Sequence, residues 1–488
     1  MTLVAGYTAM AVVAGAPNSP LTVLLPSAAS PPRWARALAS AADLADAGRR
    51  GLTAVAWALL IIVLVAFVVV VIEAWTKRIR LGAVLIAAGC SLFVSVAAPL
   101  LLSRDVYTYA AYGRIESVHG GNPYLTPLSS FPHDPFVAVA SVQWLHTHSH
   151  YGPLFTLASA GLARALAGSV DGTILAFKLL TGISIATATA LVAVATLRTR
   201  PERAALAAAL VGLNPVIVVH TVGGGHVDAL VAAPLAAACA LAVTRPHGTS
   251  VRAFAITALL TVACLVKTVM LPVLLLWLVW LARPRLGRAV ALHVLMVIAL
   301  VAASAGAFFS ASHPLAPFAS FGGIESWASP SHFVAQTLAT SVVGAHAAHP
   351  VRIAADTAFL FVFAVLLWRL VRRVRRVDAR PPIEEWGLAL FLVALSLPYL
   401  LPWYAAWFVP FLAFFEDRLL TVVGVLACIV LACTLVPADP FHGLTTAAVM
   451  DGVHYAAAPL LFIILVVTAA RLQPLARGGD RRAVATPG

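Results

Sequence analysis

The feature that most constrains this chain is a series of continuous apolar runs, several of them about 20 residues long, which is the length a helix needs to cross a bilayer. The 488 residues are 61% hydrophobic and only 10% charged, whereas about a quarter of a soluble domain is charged. This balance excludes a cytosolic enzyme, a DNA-binding protein, a disordered chain and a disulfide-stapled secreted domain. The runs do not alternate, which excludes an outer-membrane barrel. The sequence therefore predicts an all-α, polytopic integral membrane protein.

Basic residues predict how the chain is threaded. The net charge of +13 lies in short clusters between the apolar runs, so it indicates topology rather than nucleic-acid binding. The clusters occupy residues 77–80, 198–203, 245–252, 283–288 and 369–380, the surroundings of Arg418, and the chain from residue 471 onward. About 13 spans, possibly 14, put all seven clusters in the cytoplasm. Two pairs of short helices, 252–267 with 269–282 and 383–400 with 403–415, are then expected to meet near the outer surface.

The predicted organisation has three parts. They are an N-terminal segment (1–50), a transmembrane domain (51–472) that contains a long first outer loop (103–151), and a basic cytoplasmic tail (473–488). In the first part, Trp34, Leu38, Ala41 and Ala45 share one face of an amphipathic interfacial helix. Whether residues 3–14 form a further span stays open. Residues 154–168 are interpreted as an interfacial or re-entrant helix on the outer side.

The outer segments hold the unusual polar residues. Asp105 ends a helix at the depth where headgroups meet water, which indicates either a general base or a carboxylate paired with Arg104 or Arg114. Lys267 lies where two short helices meet, and it either binds a lipid phosphate or extends to the interface.

Further outer residues allow two interpretations each. In the glycine turn 223–228, His226 and Asp228 could bind sugar hydroxyls or a metal, or simply be solvated. Trp403 and Tyr404, like Trp327 beside His332, form an interfacial belt or stack on a sugar. The alternating histidines at 146, 148 and 150 would bind a metal only in an extended segment, and we expect no metal site.

These motifs carry a resemblance. The carriers are the run Ser103-Arg104-Asp105-Val106-Tyr107-Thr108-Tyr109, then Gly120-Gly121-Asn122-Pro123-Tyr124 and Tyr151-Gly152-Pro153, with Asn214-Pro215, Gly225-His226-Val227-Asp228, Leu265-Val266-Lys267 and Pro402-Trp403-Tyr404 later. They resemble polyprenol-phosphate-sugar-dependent GT-C glycosyltransferases, and most of all the actinobacterial α-1,6-mannosyltransferases of lipomannan and lipoarabinomannan synthesis. The likeness covers about residues 50–470. At its start the chain departs from the family, where a clear extra helix is expected.

The resemblance implies a reaction and a set of site residues. It implies inverting transfer of mannose from polyprenyl-phosphate mannose to a lipid-anchored α-1,6-mannan at the outer face of the cell membrane, with Asp105 as base and no cofactor. Membrane lipids are expected partners, and nucleic acid is not. The remaining residues are expected to bind substrate: Arg104, Tyr109, Arg114, Asn122, Tyr124, His226, Asp228, Lys267, His332, Trp403 and Tyr404.

Two alternatives remain at this stage. The same motifs fit a GT-C transferase for another lipid-linked sugar, such as arabinose or glucose. A transporter of polyprenyl lipid or polysaccharide is a different class, and it should carry repeats and ionisable residues near the bilayer midplane. Charges concentrated at the outer rim and in the cytoplasmic loops favour catalysis at the membrane surface.

Overall fold

The computed structural model describes residues 1–22, 28–246, 248–283, 287–316, 325–343, 348–376, 380–434 and 444–472. It is 75% helical, with no strands among these residues. The described α-helices are α1 Thr2–Ala14, α2 Arg33–Ala41, α3 Arg49–Trp75, α4 Leu81–Ala97, α5 Asp105–Ser117, α6 Pro153–Ala165, α7 Val170–Thr199, α8 Ala204–Gly212, α9 Ala232–Ala242, α10 Val251–Val266, α11 Leu271–Leu281, α12 Gly287–Ala305, α13 Pro330–Leu338, α14 Ala348–Arg376, α15 Ile383–Ser396, α16 Ala405–Phe408, α17 Arg418–Ala432, α18 Leu444–Gly452 and α19 Ala458–Arg471. The predicted tail, 473–488, lies outside the described residues.

Six helical stretches are long and apolar enough to cross a membrane, counted over the described residues. They are Arg49–Trp75, Val170–Thr199, Pro201–Val222, Val290–Phe308, Ala348–Arg376 and Ala448–Arg471. Six shorter apolar helices accompany them, and Thr2–Ala14 is one of these. The architecture therefore fits a helical membrane protein, while the finer number of 13 spans stays a prediction.

Helix ends follow local sequence signals around Lys267. α10 begins after Ser250, whose side chain accepts a hydrogen bond from the Ala253 amide at 3.2 Å, and it ends before Lys267, whose backbone is extended. α11 then starts at Leu271 with a proline in its first turn. Two short helices do meet at Lys267, as the sequence predicts.

The second predicted pair is different. α15 ends at Ser396, and residues 403–415 do not form one helix but the 3₁₀ turn Pro402–Tyr404, the four-residue α16 and the 3₁₀ helix Val409–Phe414. Proline lacks an amide proton and cannot continue an α-helix, which explains the interruptions at Pro402 and Pro410.

The segment 103–151 is more ordered than the predicted loop. It opens with α5, which packs closely on α6 because Gly113 has no side chain to collide with Ser159. The Ser159 hydroxyl donates to the Tyr109 carbonyl at 2.6 Å. The expected helix at 154–168 is α6, and together the two helices form a small support for the residues that follow.

The N-terminal amphipathic helix is shorter than expected. α2 ends at Ala41, and Asp43 adopts a left-handed φ of 54°, so Ala45 lies beyond it. Within the protein α2 buries Ala35 and Ala39, whereas Leu38 is exposed. Of the face predicted to lie on the membrane surface, Leu38 is exposed, whereas Trp34 is half-buried and its indole donates to the Ala97 carbonyl at 3.1 Å.

Arginine clusters from distant parts of the chain meet at one end of the molecule. Glu416 accepts from Arg200 at 3.5 Å and from Arg380 at 3.4 Å, and its neighbour Asp417 pairs with Arg471 at 3.3 Å. The Arg380 carbonyl accepts from the indole of Trp280, on which Arg283 stacks. Clusters predicted to share one side of the membrane thus share one end of the fold.

Candidate active site

A strained turn delivers Asp105. The Leu101 amide donates to the Gly223 carbonyl at 3.0 Å, and the Leu102 amide donates to Leu21 at 2.9 Å. Held between these two segments, Leu102 takes a φ of 61°, which is costly for a residue with a branched side chain. The Ser103 hydroxyl then accepts from the Asp105 amide at 3.1 Å. Three parts of the chain therefore fix the first residue of α5.

The carboxylate of Asp105 is buried and has few partners. The Trp144 indole donates to Oδ1 at 3.3 Å, and His226 Nδ1 lies 3.7 Å from Oδ2. Burial raises the pKa of Asp105 to about 7, against a smaller lowering by the Trp144 hydrogen bond. A carboxylate that titrates near neutrality can accept a proton from an alcohol, as a general base must.

A second carboxylate, Asp228, lines the same cavity, but unlike Asp105 it has a cation as a hydrogen-bond partner. Its Oδ1 accepts from Lys267 Nζ at 2.5 Å and from the Trp407 indole at 2.7 Å. The ammonium also lies 4.5 Å from the centre of the Tyr404 ring and 4.9 Å from that of Trp407. Asp228 Oδ2 is buried and has no hydrogen-bond partner within the described residues. It therefore keeps an open acceptor.

The two carboxylates are thus set apart by their surroundings. Asp228 has a cation and an indole donor, whereas Asp105 has one indole donor and an imidazole beyond hydrogen-bond distance. Groups of one type with contrasting environments commonly divide the roles in a site. Asp105 is the carboxylate suited to take up a proton, and Asp228 is suited to hold Lys267 in place.

His226 lies behind the cavity wall and orders it. Its Nδ1 is 3.1 Å from the Tyr109 hydroxyl, and its ring stacks on Trp403 at 3.4 Å and 14°. A side chain on Gly224 would collide with this ring and with the His220 carbonyl, so the glycine turn is needed for the close approach. Burial lowers the pKa of His226 well below its usual value. A neutral imidazole here acts by positioning its neighbours.

Gly152 joins the outer segment to the end of α10. Its amide donates to the Val266 carbonyl at 3.0 Å, and a Cβ at this position would collide with the Leu265 carbonyl. Tyr151 directly precedes Gly152, and Lys267 directly follows Val266. The contact between Gly152 and Val266 therefore brings Tyr151 and Lys267 together at the cavity.

The cavity is lined by two carboxylates, one lysine, one histidine and a majority of aromatic rings: Asp105, Tyr109, Trp144, His150, Tyr151, Asp228, Lys267, Tyr399, Leu401, Trp403 and Tyr404. Six of the predicted site residues are among them, and His226 supports them.

Burial lowers the pKa of His150 to about 3, so this histidine is neutral. The described part of the chain has no group of three or more His, Cys, Asp or Glu residues placed to hold a metal ion.

Two predicted arginines lie elsewhere. Arg114 donates to Asp134 at 2.7 Å and stacks over Phe136, and both contacts occupy its guanidinium away from the cavity. Arg104 is half-buried, and its charge acts on the hydroxyl of Tyr107. The structure therefore brings Lys267, and neither arginine, to the cavity.

Three more predicted residues lie outside the cavity lining. Asn122 donates to the Phe308 carbonyl at 2.9 Å. Tyr124 donates to the Tyr151 carbonyl at 2.8 Å and so supports a wall residue. His332 belongs to a separate cluster, described below.

Sequence reasoning missed Trp144 and Tyr399 as wall residues. Trp144 lies in the 3₁₀ turn Val142–Trp144, and Tyr399 contacts it edge-on at 5.9 Å. The only sequence feature that pointed to them was an aromatic residue in a segment predicted to lie outside the membrane. Trp327 and Trp407 share that feature, so it could not distinguish Trp144 and Tyr399.

The fold and the cavity define a class: a helical protein that fits a membrane, with a cavity that holds a buried carboxylate, a lysine paired with a second carboxylate, and aromatic walls. A family model for the N-terminal domain of alpha-(1->6)-mannopyranosyltransferases matches residues 3–283, more than half of the chain. The chain belongs to this family, which confirms the resemblance seen in the sequence. No curated protein and no solved structure matches it. The protein is therefore a glycosyltransferase of the mannosyltransferase type.

Proposed function

We propose that this protein transfers mannose from polyprenyl-phosphate mannose to a lipid-anchored α-1,6-mannan, with inversion, at the extracytoplasmic face of the cell membrane. This is the reaction of lipomannan and lipoarabinomannan core synthesis. The observation that carries the proposal is the buried carboxylate of Asp105, whose pKa is raised to about 7, in one cavity with the Asp228–Lys267 pair.

The chemistry is a direct displacement. The 6-hydroxyl oxygen of the acceptor mannose attacks C1 of the donor mannose, and the C1–O bond to phosphate breaks. Asp105 takes the hydroxyl proton, and the bond electrons leave with polyprenyl phosphate. Attack on the face opposite the leaving group converts a β-linked donor into an α-1,6-linked product. One base is sufficient for this step.

Lys267 is the group suited to the leaving phosphate. An ammonium carries three donors, and Asp228 Oδ1 takes one of them. A cation next to the developing phosphate charge stabilises the transition state. Asp228 Oδ2 has no partner within the described residues and can accept from a mannose hydroxyl.

The arrangement of the two ends of the fold supports an extracytoplasmic site. α11 begins shortly after Lys267, which lines the cavity, and ends shortly before Arg283 at the arginine-rich end. α15 likewise runs from Glu384 and Glu385, which pair with Arg373, towards Tyr399 in the cavity wall. If basic clusters mark the cytoplasm, the cavity opens on the other side.

The test is a transfer assay on purified chain in lipid vesicles. It uses radiolabelled mannosyl phosphopolyprenol and a short α-1,6-mannoside, with and without chelator. Asp105→Asn should lower the turnover about 100-fold or more because the base is lost. The matched control is Glu116→Gln, whose carboxylate pairs with Arg164 outside the cavity and should keep turnover near wild type. Wild-type turnover in Asp105→Asn would remove Asp105 as the base.

Donor chemistry is tested separately. Lys267→Ala should lower kcat/KM for the lipid donor, and an unchanged kcat/KM would contradict its role at the phosphate. If the wild type transfers no mannose, the same assay with lipid-linked arabinose and glucose identifies another sugar. Failure with all donors would favour a transport role.

A further inference from the structure

A second cluster of polar and aromatic side chains lies beside the cavity but is separate from it. It consists of Glu325, Trp327, His332, Arg352 and His454. We propose that this cluster binds a mannose unit of the acceptor chain that is distant from the reacting end. The proposal rests on the proposed function, since it names the part of the acceptor that this surface would hold.

Glu325 is the centre of the cluster. Its Oε2 lies 2.8 Å from His332 Nδ1, and its Oε1 lies 3.4 Å from Arg352 Nε. The side chains of Glu325, His332 and Arg352 are 17%, 15% and 31% exposed, so each is partly accessible. The carboxylate and the guanidinium already balance each other in charge.

Two imidazoles of the cluster have unused polar atoms. His332 Nε2 and His454 Nδ1 are buried and have no hydrogen-bond partner within the described residues. Their rings are 5.8 Å apart, and His454 as a whole is 2% exposed. Buried polar atoms without partners are costly, and a bound ligand with hydroxyl groups would satisfy them.

Trp327 supplies the flat apolar surface. Its ring contacts both imidazoles edge-on, at 5.5 Å from His332 and 5.4 Å from His454, while 41% of the residue is exposed. A large aromatic surface beside open hydrogen-bonding groups is typical of a site for an amphipathic, uncharged ligand. A sugar ring has this character, with C–H bonds on its faces and hydroxyls around its edge.

Other ligands fit less well. An anion such as phosphate would meet the Glu325 carboxylate, which already occupies Arg352 and His332. A metal ion would need at least three suitable ligands, and no such group exists among the described residues. A neutral sugar therefore matches the charge balance of the cluster.

The cluster is attached to the cavity wall. The Ser326 hydroxyl donates to the Leu400 carbonyl at 2.7 Å and accepts from the Leu400 amide at 2.8 Å, while the Ser329 hydroxyl donates to Leu397 at 2.9 Å. Tyr399 lies between these two attachment points and lines the cavity. A linear mannan that leaves the cavity past Tyr399 would pass the segment 397–400, to which the residues on either side of Trp327 are hydrogen-bonded.

The test compares acceptors of different length. The wild type should show a higher kcat/KM for an α-1,6-hexamannoside than for the disaccharide, and the quotient of the two values is the length ratio. Trp327→Ala should lower the length ratio about fivefold because one stacked sugar unit is lost. Trp327→Phe should keep most of the ratio. The control is Trp368→Ala, an exposed tryptophan on α14 outside the cluster, which should leave the ratio unchanged.

A binding measurement without turnover separates the two proposals. Calorimetry on the chain in nanodiscs should show tighter binding of hexamannoside to the wild type than to Trp327→Ala or His332→Ala, with no competition by millimolar inorganic phosphate. Binding without transfer would contradict the proposed function and keep this site. A length ratio that does not respond to Trp327→Ala, equal binding by all variants, or displacement by phosphate would overturn the site.

Discussion

The two ends of α11 hold charged groups in opposite arrangements. At the arginine end, Glu416 has two arginine partners and is half exposed. Its negative charge is therefore balanced by the arginines and solvated by water. At the cavity end, the carboxylates of Asp105 and Asp228 are buried, and Lys267 pairs with Asp228. The first arrangement ties distant segments together and leaves little for a ligand. The second leaves Asp228 Oδ2 without a hydrogen-bond partner within the described residues, so this end of α11 keeps an acceptor for a ligand.

The largest contrast should come from removing one carboxylate at each end. Asp228→Ala leaves the Lys267 ammonium and the Trp407 indole without their acceptor, and loss of one partner from a buried pair costs about 3–5 kcal/mol. We expect a large drop in melting temperature and loss of transfer. Glu416→Ala removes an exposed carboxylate and should cost no more than about 1 kcal/mol. Equal melting temperatures for the two variants would abolish the contrast between the ends.

A second contrast concerns two glycines near the cavity. Gly152→Ala would place a Cβ against the Leu265 carbonyl and should separate Tyr151 from Lys267, lowering both stability and transfer. Overpacking of this kind typically costs about 1–3 kcal/mol. Gly161→Ala on α6 meets open space and should be neutral or slightly stabilising. Denaturation followed by tryptophan fluorescence measures both variants, and a stable, active Gly152→Ala would show that the contact is dispensable.

The pH dependence of transfer should report Asp105. The base must be ionised, and its pKa is about 7, so kcat/KM should rise about tenfold from pH 6 to pH 8 and then level off. Glu416→Gln, at the other end, should leave this profile unchanged. A flat profile across neutral pH would mean that the base has an ordinary carboxylate pKa or lies elsewhere.

The smallest expected effect is a gain in stability from loss of the base. The folded-state pKa of Asp105 is raised, so ionisation is disfavoured in the folded protein, and stability falls as the pH rises from about 4 towards 7. Asp105→Asn removes this penalty. Its melting temperature should exceed that of the wild type by a few degrees at pH 8, and the gain should shrink near pH 4. A variant that melts lower than wild type at pH 8 would contradict the burial argument.

The local parts of the fold could be predicted because local signals set them. The apolar runs predict helices, Ser250 marks the beginning of α10 and Pro272 that of α11, and the family follows from the motifs around Asp105. The helical character of residues 105–117 was missed. That segment carries mixed polar and aromatic residues without an apolar run, and it is held by packing of Gly113 on α6.

The site divides in the same way. The sequence by itself determined the class of protein and the isolation of Lys267 at a helix break. It placed Asp105 at the end of a helix, which is wrong, because Asp105 is the first residue of α5. Only the tertiary structure decided that Asp228 holds Lys267, that Asp134 takes Arg114, and that Trp407 reaches Asp228 from 179 residues away. Helical periodicity reports which residues are neighbours one or two turns apart, whereas these pairs form where separate helices pack. Their partners are therefore fixed by the fold as a whole.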